Sequence, residues 1–483
     1  MNTIILTKIN EVFMSIDCDD AGIKYELSDY FTFKVPGAEF MPTFRNKMWD
    51  GKIRLYNMWT SQLYIGLMGH LEEFCRSREY NLVGQDSCIP KQNISTEDVV
   101  KALVDLKLPF NPRNYQVDAI RDGINDKRLV MLSPTGSGKS LIIYGLTQLG
   151  TSGRVLVVVP TTSLVEQMYK DFKDYGYDVE TNCHKIYSGH DKNTDKRIVI
   201  TTWQSVYKLP KSWFKDFSMV IGDEAHLFKA TSLKTLMEKC ENAMMRFGTT
   251  GTLDDTKTHQ LMLTGLFGPV RRFTTSKQLM KDGQLAKLKI SCIMLNYSDE
   301  IKQSTKKYTY QEEMDFLVSH TPRNNFIRNL AVDQTGNTLL LFQYVEKHGK
   351  ILYDIIKEKS GDRKVFFVYG GVGANEREDI RAITEKETDA IIVASYGTFS
   401  TGINIRNLHN IIFASPSKSK IRNLQSIGRG LRLGDNKEEA QLFDISDDLS
   451  WKTHRNYTLE HAVERIKTYN EEKFKYKTVK VNI

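Results

Sequence analysis

Gly136, Gly138, Lys139 and Ser140 stand together in SPTGSGKS (Ser133–Ser140), where an apolar run, RLVML, gives way to a helix-forming one. Glycines in such a loop let backbone N–H groups turn inward around an anion, and the following helix N-terminus adds partial positive charge. A lysine placed next reaches the β- and γ-phosphates of a nucleotide, and a serine hydroxyl after it is an oxygen ligand for Mg²⁺. Pro134, Thr135 and Ser137 complete the loop. Ser133 departs from the pattern GxxxxGK[ST], which has its first glycine there; an ordinary Gly/Ser turn is the plainer alternative. Further on, VIGDEAH puts Asp223 and Glu224 just past an apolar run. Asp223 at that place would hold Mg²⁺ through water, and Glu224 would orient and deprotonate an attacking water. An acidic pair at a strand end is often a solvated turn. Here it follows a phosphate loop at the distance expected for neighbouring parallel strands.

Two more sets of residues fit the same chemistry. NPRNYQ supplies Gln116, whose amide offers donor and acceptor to an adenine edge, with Arg113 and Tyr115 flanking the base. QSIGRGLR (Gln425–Arg432) carries Arg429 and Arg432 three positions apart, a spacing that sets both guanidiniums on one helix face.

The elements that must position these groups are legible as periodicity. From Arg128 to about Phe247, β-branched runs (RLVMLS, RVLVVVP, RIVITT, SMVIGDEAH) alternate with helical ones (SLIIYGLTQLG, TSLVEQMYKDFKDYG), the grammar of a parallel sheet covered on both faces. After about Thr335 it restarts with NTLLLFQYV, KVFFVYGG, AIIVASYG and HNIIFASP. Residues Thr275 to Thr335 read as a connection containing an extended KLKISCIMLNY. The first stretch differs: YFTFKV, KIRLYN and QLYIGL predict strands and HLEEFCRSREY a helix, while Ser95 and Asp98 form a capping box before TEDVVKALVDL. The expected architecture is α/β: a small α+β N-terminal domain over 1–90, parallel-sheet lobes over 91–275 and 276–450, and a C-terminal helix and basic tail over 451–483.

Bulk properties bound the class. A chain of 483 residues exceeds one compact core. With 40% hydrophobic and 26% charged residues it has the composition of a soluble globular protein, and its formal charge of +8 leans towards a polyanionic partner. Six cysteines without a CxxC pair read as reduced thiols, with neither a disulfide framework nor a zinc site. No apolar run approaches a membrane span of about 20 residues, so a cytoplasmic protein is expected.

RNYQ, SPTGSGKS, VVPTTSLVEQM, TTWQS, DEAH, GTTGT, LLLFQYVEKHG, VASYGTFSTGINI and QSIGRGLR occur in the order of the motifs of superfamily 2 helicases, which the region from about Arg113 to Leu433 resembles. FRNKMWDGKIRLYN and EEKFKYKTVKVN extend the likeness to the DNA helicases of T-even-type bacteriophages. The resemblance implies two RecA-like lobes with ATP between them, and Arg429 and Arg432 as arginine fingers towards the γ-phosphate, joined by Gln425. It implies that Gly402 and Asn404 line the nucleotide cleft or the nucleic-acid track. Thr161, Thr201, Thr202 and Gln204 in the first lobe, with Ser395 and Thr398 in the second, would hold sugar-phosphate, without reading sequence. For each single hydroxyl a helix cap is an equal alternative. GTTGT (Gly248–Thr252) would relay between ATP and nucleic acid. The implied activity is ATP-driven unwinding and branch migration of branched DNA and RNA–DNA hybrids (Holliday junctions, D-loops, R-loops, stalled forks) in phage recombination, replication and repair. Duplex and single-stranded DNA and phage recombination and single-strand-binding proteins are its expected partners.

At the ends, Lys47, Lys52 and Arg54 beside Trp49 suit either a DNA surface or a hairpin with a packed Trp. Residues 1–90 hold 9 Lys/Arg against 12 Asp/Glu, so any DNA face there is local. The tail, with Lys473, Lys475, Lys477 and Lys480 alternating with Phe474 and Tyr476, reads as a phosphate contact or as an edge strand. An ATP-gated annealing protein and a DEAH-type RNA helicase share these motifs. GRGLR departs from the GRAGR usual in the latter.

Overall fold

The computed structural model describes residues 2–228, 230–253, 256–372, 374–398, 405, 407–415, 417, 419–433 and 437–483. The chain divides into two compact units: Met1–Ser133 with Gly138–Phe273, and Pro134–Ser137 with Thr274–Ile483.

In the first unit the N-terminal domain holds β1 (Thr3–Lys8), β2 (Phe13–Cys18), β3 (Thr32–Lys34), β4 (Lys52–Arg54), β5 (Tyr56–Asn57), β6 (Gln62–Tyr64) and β7 (Asn81–Val83). Five of these make a mixed sheet, β5-β6-β2-β1-β7, and β3–β4 form a separate hairpin. The remainder is a seven-stranded, all-parallel sheet of β8 (Arg128–Leu132), β9 (Arg154–Val159), β10 (Cys183–Ile186), β11 (Ile198–Thr202), β12 (Phe217–Asp223), β13 (Met245–Thr250) and β14 (Val270–Arg272), in the order β10-β11-β9-β12-β13-β8-β14. Every residue of β8, β11 and β13 is buried, as expected where helices cover both faces. The strand leading to Asp223 is not the neighbour of the one leading to the phosphate loop. β13 lies between them, pairing Asp223 with Thr249 on one side and Leu132 with Thr250 on the other.

The second unit repeats the design with β15 (Lys287–Asn296), β16 (Thr338–Phe342), β17 (Val365–Val368), β18 (Ile391–Ser395), β19 (Asn410–Phe413), β20 (Glu439–Asp448) and β21 (Tyr476–Asn482), all parallel, ordered β17-β18-β16-β19-β20-β15-β21. KLKISCIMLNY is therefore sheet rather than connection: β15 runs between β20 and β21 over ten residues. The tail forms edge strand β21, whose Lys477 and Lys480 are exposed, while Phe474 just before it is buried.

The N-terminal domain shares its apolar core with one face of the first parallel sheet. Ile4, Met14, Leu63 and Phe74 belong to the same buried cluster as Val130, Leu156, Val199 and Val220. Polar contacts stitch the seam: Tyr64 donates to Glu238 at 2.5 Å, and the buried Arg128 donates to the Glu11 carboxylate at 2.8 Å and the Glu11 carbonyl at 2.6 Å. Arg246, fully buried, spends its guanidinium on the carbonyls of Met237, Cys240 and Leu266 at 2.6–2.9 Å. These carbonyls lie at the C-terminal ends of helices Thr231–Lys239 and Lys257–Phe267, where the helix dipole is negative. Burial, a cost to the charged form, holds the Arg246 pKa below its usual value.

In the second unit Arg323 forks onto Asp447 at 2.8 and 3.0 Å, both fully buried, and Arg465 pairs with Asp444 at 2.9 Å. His348 sits beside the first pair, its ring 3.1 Å from Ser415 Oγ and 3.3 Å from Asn324 Oδ1. Burial, then the Arg323 charge, pushes its pKa well below the ordinary imidazole value.

Two outcomes follow from this packing. A Cβ at Gly66 would fall 2.0 Å from the Thr264 carbonyl oxygen, so Gly66→Val is expected to cost about 1–3 kcal/mol, lowering the calorimetric midpoint by several degrees and opening the N-terminal domain to protease. His348 stays neutral in the folded protein, so the unfolded chain takes up a proton that the folded one refuses. Stability therefore falls as pH drops through about 6.5, and His348→Gln should flatten that acid limb in melts between about pH 7 and 5.

Candidate nucleotide and nucleic-acid site

Strand β8 delivers the chain to Ser133, whose N–H bonds the Thr250 carbonyl at 2.9 Å. The next residues turn back on themselves, with the Ser137 N–H on the Pro134 carbonyl at 3.2 Å. Gly136 and Gly138 have φ of 84° and 74°, a region in which an L side chain is strained, which accounts for glycine at both. Gly138 is the N-cap of helix Lys139–Leu149. Ser133, in place of the customary glycine, is fully buried, and its hydroxyl has no hydrogen-bond partner among the described residues.

Gln116 braces this loop. Its Oε1 accepts from the N–H of Arg113, the N-cap of helix Asn114–Asp126, at 2.8 Å, and its Nε2 lies 3.5 Å from the Gly138 carbonyl. Arg113 donates to the Tyr115 hydroxyl at 2.8 Å. The three residues expected around a base are thus gathered beside the phosphate loop.

At the end of β12, Asp223 is nearly buried and accepts a 2.7 Å bond from Thr249 Oγ1 on the adjacent strand. Burial raises its pKa, helped by Glu224 and opposed by Lys139 and the Thr249 hydroxyl. Glu224 has φ of 51°, left-handed backbone for a non-glycine residue, a strain that clusters at functional sites. Its carboxylate lies 3.3 Å from His226 Nδ1, which is also 3.0 Å from Thr250 Oγ1; that hydroxyl donates to the Thr252 carbonyl at 2.8 Å. A continuous polar path therefore joins DEAH to GTTGT. His226 and Thr249 were not singled out from sequence. Their roles depend on β13 lying beside β12, which one-dimensional spacing does not reveal. Ser140 Oγ lies 2.8 Å from the Tyr175 hydroxyl, itself pushed up to about 12 by burial.

The hydroxyls expected to face sugar-phosphate divide into two sets. Thr161 caps helix Thr162–Asp174 from a half-exposed position, and Gln204 is exposed. Thr201 is fully buried, donating to the Ile186 carbonyl at 2.9 Å, while Thr202 meets Ser205 Oγ at 2.9 Å. Ser395 and Thr398 are buried and bond each other at 2.8 Å. In the N-terminal domain Lys47, Lys52 and Arg54 are exposed; Arg54 forks onto Asp50, and Trp49 Nε1 donates to the Lys52 carbonyl at 2.8 Å.

In the second unit Ser419 caps helix Lys420–Gly430, which carries Gln425 and Arg429. Arg432 lies beyond the helix end, not on one helical face with Arg429. The chain leaves the helix at Leu431, where Gly430 approaches Ile411 so closely that a Cβ would fall 2.3 Å from its Cδ1. The buried Lys437 ammonium donates to the Gly430 carbonyl, and burial, then Arg432, pushes its pKa down to about 7. Gly402 and Asn404 lie outside the described residues. Among the described residues no group of three or more His, Cys, Asp or Glu could hold a metal, and no helix is long and apolar enough to cross a membrane. All six cysteines are buried and free.

Two parallel sheets, a glycine loop opening a helix and an acidic pair at a nearby strand end define an ATP-driven helicase with tandem RecA-like lobes. Residues 109–255 match the family described as type III restriction enzyme, res subunit, and residues 322–434 the helicase conserved C-terminal domain. Residues 8–84 match the N-terminal domain family of the DNA helicase UvsW. The chain is 36% identical over 493 aligned positions to the ATP-dependent DNA helicase uvsW of Enterobacteria phage T4, covering 97% of each. It is 25% identical to the DNA 3'-5' translocase XPB2 of Sulfurisphaera tokodaii, over 69% of this chain and 81% of that one. The crystal structure of T4 UvsW aligns over 99% of both chains with a TM-score of 0.53 and 34% identity. The chain belongs to the UvsW family of ATP-dependent DNA helicases.

Because burial disfavours the ionised Asp223, Asp223→Asn is expected to raise the thermal midpoint of the nucleotide-free protein at pH 7 while ATP turnover collapses. The difference in midpoint should shrink on acidification, as the wild-type carboxyl takes up its own proton.

Proposed function

We propose that the protein couples hydrolysis of Mg²⁺–ATP to the unwinding and branch migration of Holliday junctions, D-loops, R-loops and stalled forks during phage recombination, replication and repair. The observation that carries this reading is the 36% identity to a phage DNA helicase across 97% of both chains. Phage recombination and single-strand-binding proteins are the natural partners of such a motor, in the cytoplasm of the host.

The residues fit the chemistry. Main-chain donors of Thr135–Gly138, with Pro134 shaping the turn, and the Lys139 ammonium would receive the phosphates, with Arg113, Tyr115 and Gln116 towards the base. Ser140 and Asp223 offer hard oxygen ligands, and a carboxylate desolvated as Asp223 is gains from a nearby cation. Bound there, Mg²⁺ would neutralise charge on the phosphates. Glu224 orients and deprotonates the attacking water. Arg429 and Arg432, with Gln425, stabilise the charge spreading over the transferred phosphoryl group, a role that bidentate guanidiniums suit. Gly402 and Asn404 complete the nucleotide or nucleic-acid contacts. Thr161 and Gln204, the outward members of their set, bind sugar-phosphate, while Thr201, Thr202, Ser395 and Thr398 shape the loops that do so. Such contacts are independent of sequence.

The test is ATPase activity with single-stranded, duplex, forked, four-way and RNA–DNA hybrid ligands, beside strand displacement on the fork. Forked and four-way DNA should stimulate most. Lys139→Ala and Glu224→Gln should abolish turnover, and Arg429→Ala or Arg432→Ala should lower kcat by about 10³–10⁵. Undiminished turnover in the Lys139 or Glu224 variant refutes the site; annealing without displacement refutes the motor.

A further inference from the structure

The hairpin β3–β4 carries a loop, residues 35–51, that is folded in its own right. The Val35 N–H bonds the Gly51 carbonyl at 2.8 Å, closing the loop above the paired Lys34 and Lys52. Inside it a 3₁₀ turn (Ala38–Phe40) and a helical turn (Pro42–Arg45) are tied by Phe44 N–H to the Met41 carbonyl at 3.1 Å and Met48 N–H to the Thr43 carbonyl at 2.9 Å. Gly51, at φ of 74°, is packed so tightly that a Cβ would stand 3.0 Å from both Ala38 Cβ and Phe44 Cδ2. Ala38 and Phe44 are therefore the loop's interior. Side-chain bonds from Trp49 to the Lys52 carbonyl and from Arg45 to the Glu39 carbonyl hold the rim.

Having an interior of its own, the loop still presents three large apolar side chains to solvent: Phe40 at 70%, Met48 at 78% and Met41 at 43% exposure. Apolar groups held outward by an ordered scaffold mark an interaction site. Charge selects the partner. Lys34 to Arg54 carries five cations against two carboxylates, Glu39 and Asp50, whereas the rest of residues 1–90 carries four against ten. The loop is a cationic, apolar tip on an acidic domain. That combination suits a polyanion whose interior is apolar, meaning nucleic acid opened far enough to show base faces.

We infer that this loop is a strand-separating wedge, in which Phe40, Met41 and Met48 stack on bases exposed at a duplex branch while Lys34, Arg45, Lys47 and Lys52 hold the flanking phosphates. Phenylalanine and methionine are among the side chains that enter unstacked base steps, and stacking tolerates any sequence because every base has a π-face. The acidic remainder of the domain repels the backbone elsewhere and leaves the tip as the point of approach. The inference rests on the reading that the substrate is branched DNA.

The experiment uses the full-length protein and a forked duplex with 2-aminopurine at the branch base pair. Phe40→Ala with Met48→Ala, both at exposed positions, should slow strand separation about tenfold and remove the 2-aminopurine rise, the scale set by losing one stacked base. ATPase saturated with single-stranded DNA should stay near the wild-type value, and Phe40→Trp with Met48→Leu should restore separation. Wild-type separation by the alanine variant overturns the wedge. So does a parallel loss of single-strand-stimulated turnover, which makes the loop a general binding surface. If the wild-type protein itself neither responds to DNA nor opens the fork, it is the branched-DNA reading that fails.

Discussion

A parallel sheet buried on both faces leaves only its strand ends for chemistry, and most of the first unit answers to that constraint. β8, β12 and β13 have no exposed residue along their lengths, so the residues that can meet a ligand are those at their C-terminal ends or just beyond: the loop after Leu132, Asp223–Glu224, and Thr249–Thr252. The price is electrostatic. Asp223 sits at the last buried position of its strand, where burial outweighs the help of Thr249 and Lys139. A carboxylate held in that condition is stabilised by a nearby cation. Glu224, one residue on, accepts left-handed backbone so that its carboxylate meets His226.

The same unit shows why the N-terminal domain is not an appendage. Its apolar residues continue the cluster under the parallel sheet, and its polar stitches are among the least exposed of the unit: Arg128 on Glu11, Tyr64 on Glu238. Arg246 sits beside this seam, and among the described residues its guanidinium bonds carbonyls rather than a carboxylate. Removing three helix-terminal carbonyls from water would otherwise leave them unsatisfied, so one guanidinium settles three debts of the backbone at once. A domain fixed in this way is continuous with the core of the first parallel sheet.

Much of this was legible in the sequence, for reasons that differ by residue. The glycine loop was legible because main-chain geometry dictates glycine at two positions, and Asp223–Glu224 because a carboxylate pair ends an apolar run. Ser95 and Asp98 form the capping box that their spacing implied. Adjacency was not legible. β13 falls between β12 and β8 because parallel crossovers can land on either side, and local periodicity does not encode which. For the same reason β15 read as a connection: KLKISCIMLN is an alternating run whose partners, β20 and β21, lie far downstream, with Lys287 opposite Glu439 and Ile290 opposite Tyr476. Helix ends fail differently. Arg429 and Arg432 keep helical spacing, yet the close passage of Gly430 over Ile411 and the Lys437 cap at its carbonyl end the helix between them. Hydroxyls are the least legible of all: Thr201 and Thr161 look alike in sequence, but one is spent inside the sheet and the other faces outward.

The end of that helix also shows how charge can be stored for a ligand. Lys437 is buried against the Gly430 carbonyl, close enough to Arg432 that the arginine lowers its pKa after burial has done so. Two like charges kept near each other in a poorly hydrated place oppose one another. The carbonyl that Lys437 caps belongs to the helix carrying Arg429, and the position of that arginine is thereby tied to the same electrostatic balance.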